Sequence, residues 1–219
     1  SPPPPSPACT KSTANCQELF SLGCRTSGVY KLKSSISVYC DMESNGGGWQ
    51  LLLTQTHAKN QYGGSVSPFK QDKNPTTPSM TQPYSRNWDA AGLKPKTGDE
   101  FLLRSSADQD YVRFVTSDFC GWSEKKCKEA SSHLQIAKGQ TYDSAGYPID
   151  GFVWFNGCAQ DGGCKNSGSD AVGFGKNPSY NYAVVGCYGG CWTGSDGAFH
   201  WGSRTVVTNT VMSYYWRPN

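Results

Sequence analysis

Oxygen-bearing and aromatic side chains crowd into one glycine-rich stretch of the chain, between Cys158 and Arg204. Its first part runs Cys158-Ala-Gln-Asp-Gly-Gly-Cys164-Lys-Asn166-Ser-Gly-Ser-Asp170. Its last part runs Cys187-Tyr-Gly-Gly-Cys191-Trp192-Thr-Gly-Ser-Asp196-Gly-Ala-Phe199-His200-Trp201-Gly-Ser-Arg204. Side-chain oxygens on glycine-rich loops can wrap a hard cation such as Ca²⁺, which takes several oxygens at flexible geometry. Aromatic rings nearby offer apolar faces to the C–H face of a sugar, and their polar edges fix its orientation. The combination suits a calcium-assisted glycan site.

Other chemistries find less to work with. The three histidines are His57, His133 and His200, and neither a Gly-x-Ser-x-Gly elbow nor a His-Glu-x-x-His motif is present, so no enzyme is expected. His200 beside Trp201 reads as a packed or sugar-contacting residue rather than a base. Gly46-Gly-Gly lacks the Lys-Ser/Thr that a phosphate-cradling loop needs. Cys187-x3-Cys191 is the one close pair at metal-ligand spacing, and no second pair completes a zinc site. A net charge of +3 is too small to imply nucleic acid, and Lys125, Lys126 and Lys128 stand between Glu124 and Glu129 as on a solvated face. No apolar run of about eighteen residues is there to span a membrane.

Ten cysteines in 219 residues read as a disulfide framework in an oxidising compartment, hence a secreted or extracellular chain. The later ones come in close pairs, Cys120 with Cys127, Cys158 with Cys164 and Cys187 with Cys191. Staples over such short loops gain little chain entropy, so they shape local surfaces, either as binding loops or as protection for long ones. With no secretory leader in the sequence, the chain is expected to be a mature form or an excised fragment.

The elements that must position these residues are organised around Val38-Tyr-Cys40-Asp41-Met42-Glu-Ser-Asn-Gly46-Gly-Gly-Trp49-Gln-Leu-Leu52. Ile36, Val38 and Tyr39 predict a strand, the three glycines a turn at backbone angles that side chains forbid, and Trp49 onward a second strand. Residues 8–54 form a first subdomain. Prolines 68, 75, 78, 83 and 95 predict a long ordered loop over 55–96, with a short helix near Asn87–Leu93. Strand patterns follow in Glu100–Thr116, in Gly151–Phe155 and, as one strand, in Thr205–Trp216. The fold class is α+β, a mostly antiparallel sheet with few short helices and long disulfide-stapled loops. Residues 1–7, Ser-Pro-Pro-Pro-Pro-Ser-Pro, predict an extended polyproline rod, so residues 1–8 are assigned to a stalk or linker end and 9–219 to one domain.

Cys16-Gln-Glu-Leu-Phe, Ser27-Gly-Val-Tyr30, Val38-Tyr-Cys40-Asp-Met42 and Gly46-Gly-Gly-Trp49 together resemble the opening of a fibrinogen-related domain, in that family's order and spacing. Thr97-Gly-Asp-Glu-Phe-Leu-Leu103 and the closing Ser213-Tyr-Tyr-Trp-Arg217-Pro218 are similar to later segments of the family, so the resemblance covers roughly residues 16 to 218. It implies a disulfide between Cys16 and Cys40. Cys9 and Cys24, left over nearby, are then expected to pair with each other, one of the three connectivities that four cysteines allow.

Within the family, the stretch from Cys158 to Arg204 looks most like the intelectins, lectins that hold a sugar's vicinal diol on calcium between two aromatic side chains. Trp192-Thr-Gly is similar to the intelectin Trp-Ser-Gly, and the second aromatic falls on Trp201. The resemblance places calcium ligands at Asn166 and Asp170, with Asp196 as a further oxygen. The intelectin glutamate and aspartate ligands have no clear counterpart, and the repeated-aspartate loop of fibrinogens and ficolins is missing. Cys191-Trp-Thr-Gly-Ser-Asp196-Gly197 also resembles the ficolin segment of an acetyl-group site, with Trp192 where a histidine is expected.

These readings imply a carbohydrate-binding domain with Trp192, Trp201, His200 and Asp196 as sugar contacts and Asn166, Asp170 and Asp196 as calcium ligands. Glycans or glycoproteins are the expected partners, in adhesion or innate recognition, with oligomerisation through the stalk raising effective concentration. The competing reading is an adhesion or structural module that binds a protein, with exposed aromatic residues as interface anchors.

Overall fold

The computed structural model of the chain describes residues 7–56, 71–96, 98–105, 111–116, 134–136, 152–155, 172–175, 184–188, 198–202, 204–206 and 211–219. Pro7–Thr10 form a 3-10 turn, so the extended conformation expected from Ser1 to Pro7 does not hold at Pro7. One α-helix follows, α1 (Cys16–Ser21). Asn15 caps it by accepting from the Glu18 N–H at 2.9 Å, and the Glu18 carboxylate accepts from the Ala14 N–H at 2.8 Å. Gly23, at φ 98°, closes it: the Cys24 N–H bonds to Leu19 O and the Gly23 N–H to Phe20 O. A left-handed glycine turns the chain out of the helix in this way because no Cβ opposes it. Both expected disulfides of this region are present, Cys16–Cys40 and Cys9–Cys24, with Cα separations of 5.5 and 4.9 Å.

Seven strands and a short eighth make the first sheet. They are β1 (Gly28–Lys31), β2 (Ser37–Asp41), β3 (Trp49–Thr56), β4 (Tyr84–Ser85), β5 (Glu100–Ser105), β6 (Tyr111–Thr116), β7 (Leu134–Ile136) and, from the end of the chain, β13 (Val211–Arg217). The order is β1-β2-β3-β13-β5-β6-β7, every pair antiparallel. β4 joins the outer edge of β3 beyond the end of β2, pairing Leu53 with Ser85 and Thr54 with Tyr84. In the gap between β2 and β4, the Leu52 carbonyl accepts the buried indole N–H of Trp88 at 2.7 Å.

The core lies at β3 and β13, whose central positions make them buried on both faces. Trp49, Leu51, Leu52 and Leu53 are fully covered, with Tyr214, Tyr215 and Trp216 beside them. The strand expected over Thr205–Trp216 is in fact two, because β12 (Arg204–Val206) pairs in a different sheet from β13. The loop expected over 55–96 contains β4, and Asn87–Leu93 is a single turn rather than a helix. Asn87 Oδ1 accepts from the Ala90 N–H at 3.0 Å, and Gly92, at φ 76°, ends the turn with the Leu93 N–H on Trp88 O. A second left-handed glycine thus stops a helix after one turn.

The corner between β2 and β3 is built on backbone angles. Asp41 Oδ1 accepts from the Glu43 and Ser44 N–H groups at 3.0 and 2.9 Å, and four successive residues, Asn45, Gly46, Gly47 and Gly48, then have positive φ. Only asparagine and glycine adopt that region readily, which accounts for the Asn-Gly-Gly-Gly sequence. Arg217 locks the corner to the far end of the chain. Its guanidinium lies 4.1 Å from the Trp49 ring centroid, donates to Gly47 O at 2.8 Å and pairs with Glu100, which also holds Arg113.

A second sheet of five antiparallel strands has the order β12-β11-β10-β9-β8, from β8 (Phe152–Phe155), β9 (Val172–Gly175), β10 (Val184–Tyr188), β11 (Ala198–Gly202) and β12.

Burial makes one pH response predictable. Tyr84 is fully covered, and desolvation pushes its phenol up from 10.0 to about 12. Because the folded value lies above the unfolded one, the stabilisation is complete below pH 10 and is lost as pH rises through about 12. Burial raises Tyr215 in the same direction. Alkaline unfolding is therefore expected in this window, and Tyr84→Phe should move its midpoint upward. A phenolate absorbance titration run beside near-UV circular dichroism checks this, and tyrosines that all ionise without unfolding would contradict it.

Candidate functional site

The second sheet carries what the structure describes of the expected glycan site. His200 and Trp201 occupy successive positions of β11, and Cys187 lies on β10, opposite Phe199. The register sets Val185 opposite Trp201 and Gly186 opposite His200. Two segments of the Cys158–Arg204 stretch are therefore neighbours in one sheet. Val184 and Val185 on one strand and the Phe-His-Trp run on the other are the β-branched and aromatic residues that favour such pairing. Cys187 is thus a strand residue and not part of an irregular loop. Asn166, Asp170, Trp192 and Asp196 lie outside the described residues, as do Cys120, Cys127, Cys158, Cys164 and Cys191.

Among the described residues no three His, Cys, Asp or Glu side chains gather as a metal would require. The acids of the first sheet are held by other partners. Asp41 Oδ2 takes Arg104 at 3.2 Å, and Glu100 takes Arg113 and Arg217. Asp99 accepts from the Trp216 indole at 3.0 Å, from the Lys96 N–H at 2.8 Å and from the Asn219 N–H at 3.1 Å. Carboxylates engaged in this way hold strands together and are not poised as ligands or bases. Sequence reasoning gave no role to Gln50, which lines a cavity of about 390 Å³ together with Trp88 and Trp216. No motif signals that cavity, since its walls come from segments far apart in the chain.

Residues 12–72 match the family of fibrinogen beta and gamma chains, C-terminal globular domain. Angiopoietin-2 of Canis lupus familiaris is 29% identical over 45% of this chain and 18% of its own length. Fibrinogen-like protein 1 of Homo sapiens is 39% identical over 22% of this chain and 17% of its own length. The chain thus spans about a fifth of the curated relatives it matches. The fibrinogen-like globe domain of human ANGPTL6 superposes with a TM-score of 0.45 at 16% identity, over 96% of this chain and 97% of that one. The matched segment, from before α1 to beyond β3, contains the Cys16–Cys40 pair and the glycine corner. Among the described residues, a mostly antiparallel sheet with one short helix and disulfide-linked loops matches a fibrinogen-like fold.

Proposed function

We propose that this is an extracellular recognition module whose ligand is presented on a protein surface. The match of residues 12–72 to the fibrinogen C-terminal domain carries this reading, and similarity to angiopoietin-2 and fibrinogen-like protein 1 supports it. Two disulfides, Cys16–Cys40 tying α1 to β2 and Cys9–Cys24 tying the flanks of α1 to each other, favour an oxidising, extracellular setting. No helix among the described residues is long and apolar enough to cross a membrane.

A second reading is calcium-assisted glycan binding by Trp192, Trp201, His200 and Asp196, with Asn166, Asp170 and Asp196 on the ion. The pairing of β10 with β11 favours it, because it gives the Trp201 segment a fixed neighbour. A glycan array with the purified domain, in calcium and again in EDTA, beside Trp192→Ala, separates the two. The protein-surface reading expects a blank array from a folded domain and capture of a protein partner that neither free sugar nor EDTA displaces. Calcium-dependent spots lost in Trp192→Ala would replace it with the lectin.

A further inference from the structure

We propose that the cavity on the first sheet is a binding site for a small amphipathic carboxylate, separate from the β10–β11 region. About 390 Å³ is open between β3, the end of β13, the turn at 88–93 and the segment leading into α1. That volume lies within the range of small-molecule pockets. Trp88, Trp216, Leu32, Ile36 and Leu93 supply its apolar wall, and Asp99, already accepting from the Trp216 indole and from the Lys96 and Asn219 N–H groups, is among its polar lining residues.

Two polar features define the ligand. Gln50 lines the cavity, is 2% exposed, and its Oε1 is buried with no hydrogen-bond partner among the described residues. A buried acceptor without a donor destabilises the fold that keeps it, so a ligand N–H or O–H reaching it would regain what folding gave up. Lys94 and Lys96, both exposed, stand at the same cavity and supply positive charge where it meets solvent. The complementary molecule has a flat or branched apolar body, one hydrogen-bond donor at its buried end and a carboxylate at the other. Hydroxyaryl and indolyl alkanoic acids have this form.

Indole-3-propionate and 3-(4-hydroxyphenyl)propionate are suitable probes, titrated into the whole chain and followed by tryptophan fluorescence and by thermal shift. Saturable binding is expected with both, and indole without the carboxylate should bind about 5-fold more weakly, with the gap closing in high salt. Gln50→Leu should weaken the acids about 10-fold while raising the melting temperature, since it removes the orphaned acceptor. Lys94→Gln changes an exposed residue and should reproduce the loss of the carboxylate's advantage even if the Gln50 variant fails to fold. Absence of binding at millimolar probe, or binding indifferent to both substitutions and to the carboxylate, overturns the proposal.

Discussion

Gly47→Ala should be among the most damaging single-methyl changes in this domain, costing about 3–5 kcal/mol. Two independent effects add. Gly47 sits at φ 72° and ψ −178°, a region that residues with a Cβ essentially never occupy. A Cβ built there would lie 2.5 Å from the Met42 carbonyl oxygen and 2.7 Å from Phe20 Cδ2. The first of these is backbone, so relief requires opening the corner between β2 and β3. The second is the ring of a helix residue, so relief also lifts α1 from the sheet. Against a domain stability of roughly 5–15 kcal/mol, such a loss leaves a substantial unfolded fraction.

Neighbouring glycines provide the controls. Among the described residues, Gly46→Ala meets only Arg217 Nη1, at 3.4 Å, and Gly92→Ala meets nothing within 4 Å, so each should cost about 1 kcal/mol from its positive φ alone. Denaturant unfolding of the three variants checks the ranking. Equal losses at Gly46, Gly47 and Gly92 would mean that the close approach to Met42 and Phe20 contributes nothing.

How legible this was in the sequence depends on how local each cause is. The Asn-Gly-Gly-Gly corner and strands β5 and β6 announce themselves in adjacent residues, and the structure has them. The pairing of β13 with both β3 and β5 does not, because Trp216 reaches Gln50 and Phe101 across more than a hundred residues and no local pattern encodes a partner. Tyr84–Ser85 is too short for alternation to show and follows a proline, so it reads as loop until Leu53 and Thr54 are beside it. β9 is Val-Gly-Phe-Gly, with too few bulky residues to mark a strand. The single strand expected over Thr205–Trp216 rested on a run rich in β-branched and aromatic residues, which cannot reveal that its two ends belong to different sheets. At the candidate site, aromatic and oxygen-bearing residues marked the stretch from Cys158 to Arg204, yet only Cys187, His200 and Trp201 of the named residues fall among those described.

Arg217 carries the other large effect, because one side chain closes contacts that the fold makes nowhere else among the described residues. It is 8% exposed, stacks on Trp49, shares Glu100 with Arg113, and donates to Gly47 O, 170 positions earlier in the chain. Arg217→Ala should cost about 3–5 kcal/mol, the range seen when one partner of a buried ion pair is removed. Glu100 keeps Arg113, so the damage should concentrate at the Gly47 carbonyl, which loses its donor, and at the uncovered Trp49 ring. Arg217→Lys should restore only part of the loss, because an ammonium cannot fork to Glu100 while reaching Gly47 and lying flat on an indole. Hydrogen exchange locates the effect: protection at residues 44–48 should fall further than protection within β5, although the substitution lies in the strand paired to β5. A uniform loss across the sheet, or an Arg217→Ala variant within about 1 kcal/mol of the parent, would show that burial of Trp216 and Tyr215 alone closes the domain and that the arginine is a bystander.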